Sequence, residues 1–261
     1  MPDYGISLLS LIPMRKEPKE QSEMVSQLLF GENYEVLNEN NGFLQIVTGY
    51  DRYTGWIDRA MHNVIPGEYY QYLTNEAQPV QSALMISIER KGSHPVQILA
   101  GSTLPGYSKK KDHIEINGNI YNVRWTFGKF NSNGFDTVIK TASFFLNSPY
   151  LWGGRSSFGC DCSGFVQVLY KIHGIPIFRD AHQQAEQGSL VSSLAEAKTG
   201  DLAFFSDTEG NVYHVGMVIA PGEIIHSSGY VHIDQLDEKG IFNIRRQEYS
   251  HFLHSIKRYN E

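Results

Sequence analysis

The 261-residue sequence predicts an α+β protein, in which two small β-barrels precede a domain with one main helix followed by antiparallel strands. Three observations carry this expectation. Residues 1–65 are short apolar runs cut by turn residues, and residues 66–130 repeat that texture. In residues 131–261 helical spacing takes over, and strand-like runs return only from Asp201 onward.

In the first segment Tyr34–Leu37 and Phe43–Val47 read as strands, joined by a hairpin loop over Asn38–Gly42, and Gly55–Asp58 follows as a third. In the second, Val96–Leu99 and Ile114–Val123 are strand-like, the latter divided by the hairpin pair Asn117-Gly118, and Trp125 is expected to close the core. In the third, Val138, Ile139, Ala142, Phe145 and Leu146 predict a helix over 137–147 that Pro149 ends. A glycine-rich loop leads to a second, amphipathic helix over Cys162–His173, with Phe165, Leu169 and Ile172 on one face and Gly174 and Pro176 as its stop. Asp201–Ser206, His214–Ala220 and Glu223–His226 then form a strand meander whose last turn is Pro221-Gly222.

Lys and Arg total 22 against 28 Asp and Glu, a net charge of −6 that argues against general nucleic-acid binding. With 41% hydrophobic and 19% charged residues, wholesale disorder is excluded, and no stretch is apolar enough for a membrane span. The N-terminal run lacks a basic leader, so a cytoplasmic location is favoured, with the periplasm as the alternative if a leader was removed. The two cysteines, Cys160 and Cys162, are too close in sequence to staple a fold, and C-x-C alone does not make a zinc site, so no metal and no cofactor are called for.

The chemistry gathers at Cys162. A cysteine in the first turn of a helix meets the positive end of the helix dipole, which favours thiolate. A nucleophilic thiolate needs a base, and the base needs an orienter. His214 and His226 lie on consecutive strands and are the candidates. Strand parity sets a condition: with a plain two-residue turn at Pro221-Gly222 they face opposite sides, so a shared site requires an odd loop or a bulge.

Asp161-Cys162-Ser163-Gly164-Phe165, preceded by Tyr150-Leu-Trp-Gly-Gly154, resembles the nucleophile motif of the NlpC/P60 cysteine peptidases. Thr199-Gly-Asp-Leu202 with His214-Val-Gly216, and Ile224-Ile-His-Ser227, match two further blocks in the same order. The resemblance implies a papain-like catalytic domain over 131–261, with SH3-like barrels over 1–65 and 66–130. It implies an enzyme that cuts bacterial cell-wall peptides. With Phe178-Arg-Asp180, the chain is similar to the subgroup of γ-D-glutamyl-L-diamino acid endopeptidases, which act on small muropeptides with a free N-terminal L-alanine and release L-Ala-γ-D-Glu.

By that resemblance Cys162 is the nucleophile, His214 the base and His226 its orienter. Asp161, Asp180 and Tyr53 hold the substrate's ammonium end, Ser163 the D-glutamyl part, Tyr150 borders the nucleophile and helps the polar environment of the oxyanion, and Trp152 lines the cleft. The residues themselves leave alternatives open: Asp161 as a plain helix cap, Tyr150 as a core tyrosine, Tyr53 as a loop aromatic. Glu23 is a candidate acidic partner in the first barrel, Ala181 stands where the subgroup often carries serine, and Cys160 is a bystander. The competing functions are another papain-like acyl transfer, such as an amidase, and a wall-binding module with an idle site. The diamino acid and the oligomeric state are not set by the sequence.

Overall fold

The computed structural model describes residues 3–128 and 137–259, and the chain divides into two compact units, Met1–Phe130 and Asn131–Glu261. In the first unit, β1 (Asp3–Ile6), β2 (Leu11–Arg15), β3 (Met24–Leu29), β4 (Asn33–Asn40), β5 (Phe43–Thr48), β6 (Thr54–Asp58) and β7 (Val64–Ile65) form one sheet, ordered β3-β2-β6-β5-β4-β1-β7. The helix α1 (Gly67–Asn75) leads to a four-stranded sheet of β8 (Met85–Arg90), β9 (Val96–Leu99), β10 (His113–Ile116) and β11 (Asn119–Phe127). Ile12, Met14, Leu28, Tyr34, Ile46 and Ile57 fill the first barrel. A second cluster joins Ile6, Phe30 and Ile65 to Ile86, Ile88, Ile98, Ile114 and Tyr121 of the four-stranded sheet.

Several local expectations change. The loop expected over Asn38–Gly42 shrinks to the pair Asn41-Gly42, both with positive φ, because a two-residue turn of this kind lets the strands pair to its edge. Asn117-Gly118 makes the same turn, as the sequence predicts. Trp125 does not close a core; it is 44% exposed on β11, and the aliphatic residues and Tyr121 do that work. The sequence reading contained no helix at α1.

The second unit is built on α2 (Val138–Ser143), the short pair β12 (Arg155–Ser156) and β13 (Gly159–Cys160), α3 (Cys162–Ile172) and α4 (Ala181–Ala185). Strands β14 (Ser189–Leu190), β15 (Leu202–Ser206), β16 (Val212–Ala220), β17 (Glu223–Ser228), β18 (Tyr230–Leu236), β19 (Gly240–Asn243) and β20 (Glu248–Arg258) complete it. The order is β14-β20-β15-β16-β17-β18-β19, and β19 also pairs with β20, so strands β15 to β20 close a ring. The first helix is shorter than expected. It ends in turns that reach Asn147, whose positive φ reverses the chain before Pro149.

Inside the ring, Ala203, Phe205, Val218, Ile224, Leu236, Ile241 and Ile256 pack together. The helix α3 lies against β16 and β17, and α2, α4 and β12 cover it elsewhere. All of its residues from Cys162 to Ile172 are therefore buried, where the sequence suggested a helix with one wet face. Its start is held by contact between backbones: a Cβ on Gly164 would stand 2.2 Å from the carbonyl oxygen of Gly154. Gly164→Ala should therefore destabilise the second unit by roughly 1–3 kcal/mol and displace Cys162. Urea denaturation together with the rate of Cys162 alkylation checks both effects.

Candidate active site

Register alone brings the polar residues together. Cross-strand partners share a face, and Phe205↔His214, Gly216↔His226, His226↔His232, Ile224↔Asp234 and Ile241↔His251 link residues of four strand pairings to the barrel interior. The condition on His214 and His226 is met by a bulge between Val218 and Ala220, which restores their common face despite a two-residue turn at Pro221-Gly222. Gly216 sits opposite His226 because any Cβ there would lie 2.9 Å from the Cβ of His226.

His214 Nε2 and His226 Nδ1 are 2.9 Å apart, and His226 Nε2 is 3.4 Å from Asp234 Oδ2. An ionised carboxylate only accepts, which assigns the protons: His226 Nε2–H donates to Asp234, and His214 Nε2–H donates to His226 Nδ1. Nδ1 of His214 is left with its lone pair. Burial drives His214 well below the usual imidazole range, and the neighbouring His251, His226 and His232 push the same way. Burial lowers His226 too, against the pull of Asp234. Burial by itself would raise Asp234, but donors from His226 and the Ile244 N–H, with His232 nearby, outweigh it and hold the carboxyl low. Asn243 Nδ2 donates to Oδ2 at 3.1 Å, and His232, whose Nδ1 meets the Tyr230 carbonyl at 2.8 Å, brings Nε2 to 3.1 Å from the same oxygen.

Cys162 begins α3, and Asp161 caps it by accepting from Gly164 N at 2.7 Å. The thiol lies against β16, where it takes the N–H of Val215, the residue next to His214, and also that of Ser163. The helix start and burial act against each other here. Burial pushes the thiol up to about 12, the Asp161 carboxylate adds to the rise, and the two N–H groups only partly oppose it.

Among the described residues, His214, His226 and His251, and separately His226, His232 and Asp234, bring ligand atoms within 4.8 Å of one another. The first group is not arranged to chelate. His214 and His251 lie face to face at 4.0 Å, so their in-plane lone pairs run side by side, and His226 Nδ1 already engages His214.

The NlpC/P60 family model matches residues 147–247, and the bacterial dipeptidyl-peptidase Sh3 domain matches residues 14–60. A Bacillus subtilis protein named Gamma-D-glutamyl-L-lysine dipeptidyl-peptidase is 30% identical over 218 residues, covering 77% of this chain and 71% of that one. The chain belongs to the NlpC/P60 family. Dipeptidyl-peptidase 6 of Lysinibacillus sphaericus is 27% identical over 90% of this chain and 92% of its own. A crystal structure of an NlpC/P60 family protein from Bacillus cereus superposes with a TM-score of 0.81 over 99% of this chain and 100% of that one, at 21% identity, which supports the fold. This NlpC/P60 protein is accordingly a cysteine peptidase of the cell-wall class. Among its described residues no helix is long and apolar enough to cross a membrane.

The residues expected to hold substrate are distributed unevenly in this peptidase. Asp161 is committed to the protein itself. Oδ1 accepts from Gly164 N, Ser163 Oγ and Arg179 Nη1, and Oδ2 from Gly153 N at 2.8 Å and Arg179 Nη2 at 2.6 Å. Its expected part in binding an ammonium group gives way to a buried ion pair that anchors the start of α3. Ser163 joins the same network, accepting from Arg179 Nη1 at 2.9 Å. Asp180 stands half-buried at the N-terminus of α4, its N–H donating to Gln183 Oε1. Tyr150 is half-buried, its hydroxyl raised by burial and then by the nearby Cys162 and Asp161 groups, which places it beside the thiol. Trp152 is 58% exposed. Tyr53 belongs to the first unit, where it packs on the barrel core, and Glu23 pairs there with Lys16 at 3.1 Å. Cys160 is buried, its thiol pushed up to about 12 by burial.

Arg179, Asp234 and His251 were not singled out by the sequence reading. Parity could have found Asp234, since Val231-His-Ile-Asp234 puts His232 and Asp234 on one face of the strand that follows His226.

Two predictions follow from this electrostatics. Arg179→Leu leaves Asp161 buried and unpaired and should cost about 3–5 kcal/mol in chemical denaturation. The second concerns pH. His214, His226 and His251 all titrate below the unfolded value near 6.5, so the unfolded chain takes up more protons as pH falls. Stability is fully present above about 6.5 and is lost toward pH 4, by roughly 1.4 kcal/mol per pH unit for each histidine. Cys160 and Cys162 act at the other end: stability is lost as pH rises from about 9 toward 12. Urea unfolding of the full chain at pH 7, 6, 5 and 10 checks both signs.

Proposed function

We propose that this peptidase hydrolyses the γ-D-glutamyl–diamino acid bond of small cell-wall peptides that carry a free N-terminal L-alanine, releasing L-Ala-γ-D-Glu. The observation that carries the chemistry is the bonded series His214–His226–Asp234 beside a Cys162 held on the backbone of Val215. The names of the relatives support the choice of bond.

Nδ1 of His214 takes the Cys162 proton as the sulfur attacks the γ-glutamyl carbonyl carbon. The new imidazolium is stabilised through His226 by Asp234, which lies in a ring of donors and stays ionised. The backbone N–H of Cys162, in the first turn of α3, is the donor assigned to the developing oxyanion, since those of Ser163, Gly164 and Phe165 are already engaged. The tetrahedral adduct collapses as His214 gives its proton to the leaving amine of the diamino acid, and a thioester remains. His214 then draws a proton from water, hydroxide attacks the thioester, and the proton returns to sulfur as the dipeptide leaves. Burial lowers His214 and raises Cys162, so catalysis depends on what stabilises charge on His214. Asp180 is the carboxylate assigned to the substrate ammonium, since Asp161 is occupied by Arg179.

Cys162→Ala should abolish release of L-Ala-γ-D-Glu from L-Ala-γ-D-Glu-L-Lys and from the meso-diaminopimelate peptide, as read by mass spectrometry. Turnover by that variant would overturn the nucleophile. Asp234→Asn should lower kcat by about 10–100-fold with little change in KM. Acetylating the substrate's amino group should stop cleavage; continued cleavage would refute the ammonium site.

A further inference from the structure

His226 grips His214 at one ring edge, and a single edge contact leaves the ring plane free to turn. A second contact holds the face. His251, on β20 opposite Ile241, stacks on His214 with ring centroids 4.0 Å apart and planes at 22°. His251 is itself boxed in, stacked on Tyr213 at 5.8 Å and edge-on to Phe205 at 6.0 Å and to His226 at 5.8 Å, with Nδ1 2.8 Å from Ser250 Oγ. It lies in none of the three motif blocks and beyond the end of the matched family segment at residue 247.

We propose that His251 is a positioning residue for the base: its neutral ring fixes the plane of His214 and offers the π face over which the His214 imidazolium forms. The proposal rests on His214 being the base. A cation over an aromatic face is attracted to the ring, whereas a second cation at the same spacing is repelled. The groups facing His251 are Tyr213 and His214 of β16, His226 of β17, His232 and Asp234 of β18, and Phe205 of β15. Asp234 is the one carboxylate among them, and burial still outweighs it, bringing His251 down to about 4, so the face is uncharged wherever the enzyme would work.

The test reads the Cys162 proton rather than peptide turnover, so a wrong substrate leaves it unaffected. The full chain carries Cys160→Ala, and alkylation of Cys162 by iodoacetamide is timed at pH 6.5, where His214 must take the proton, and at pH 9.5, where hydroxide can. His251→Ala should slow alkylation about tenfold at pH 6.5 and leave it within about twofold at pH 9.5. His251→Phe keeps an aromatic face and should stay within about threefold of the parent at both. His251→Lys should be at least as slow as His251→Ala at pH 6.5. A His251→Ala profile that overlays the parent's, or the same slowing at both pH values, overturns the proposal, as does a His251→Phe as slow as His251→Ala. If His251→Ala does not fold, the Phe and Lys variants decide: equal rates at pH 6.5 refute it.

Discussion

A closed ring of strands has an interior with no access to bulk water except at its ends, and this peptidase places four imidazoles and a carboxylate in one such end. Burying that many titratable groups is tolerable only because each has a partner. His214 donates to His226, His226 to Asp234, and Asp234 collects His232, Asn243 and the Ile244 N–H as well. The deeper interior is aliphatic and aromatic, so the polar end has a dry floor. Low dielectric favours the neutral form of His214 and His226 and also strengthens the hydrogen bonds between these groups.

The same burial acts on Cys162, in the opposite direction to the helix start. Two N–H groups at the thiol cannot offset the loss of water and the adjacent Asp161 carboxylate. Burial thus favours the neutral thiol at Cys162, and the helix start and its N–H groups favour the charged one. Such a site depends less on a preformed ion pair than on pre-positioned groups that stabilise the imidazolium. That gives Asp234, through His226, a larger part than a remote carboxylate would suggest.

A second network holds the other half of the site. The Asp161–Arg179 pair, with Ser163, Gly153 and Gly164, ties the first turn of α3 to the glycine-rich loop and to the segment before α4. The pair is buried on both sides and satisfied on every oxygen, so it is a rigid fixture and not a reserve of charge for ligands. Asp180, half-buried at the start of α4, lies outside this network.

The place of Cys162 at a helix start and of His214 and His226 on neighbouring strands was readable because each depends on local pattern: an acidic cap before an apolar 3.6-residue repeat, and alternation along strands. The parity condition on His214 and His226 was also readable, but the answer was not, since a bulge at Val218–Ala220 is chosen by the packing of two strands against their neighbours. Trp125 shows the limit of composition: an aromatic residue in a strand does not announce which face is covered. Ring closure by β19 and β20 lies further out of reach, because pairing between distant strands is decided by how a whole sheet twists. Sequence alone thus determined which atoms could do the chemistry, through short-range periodicity and chain order. Tertiary structure decided their charge and their partners, because protonation and contact depend on the water excluded and on residues that only folding makes neighbours.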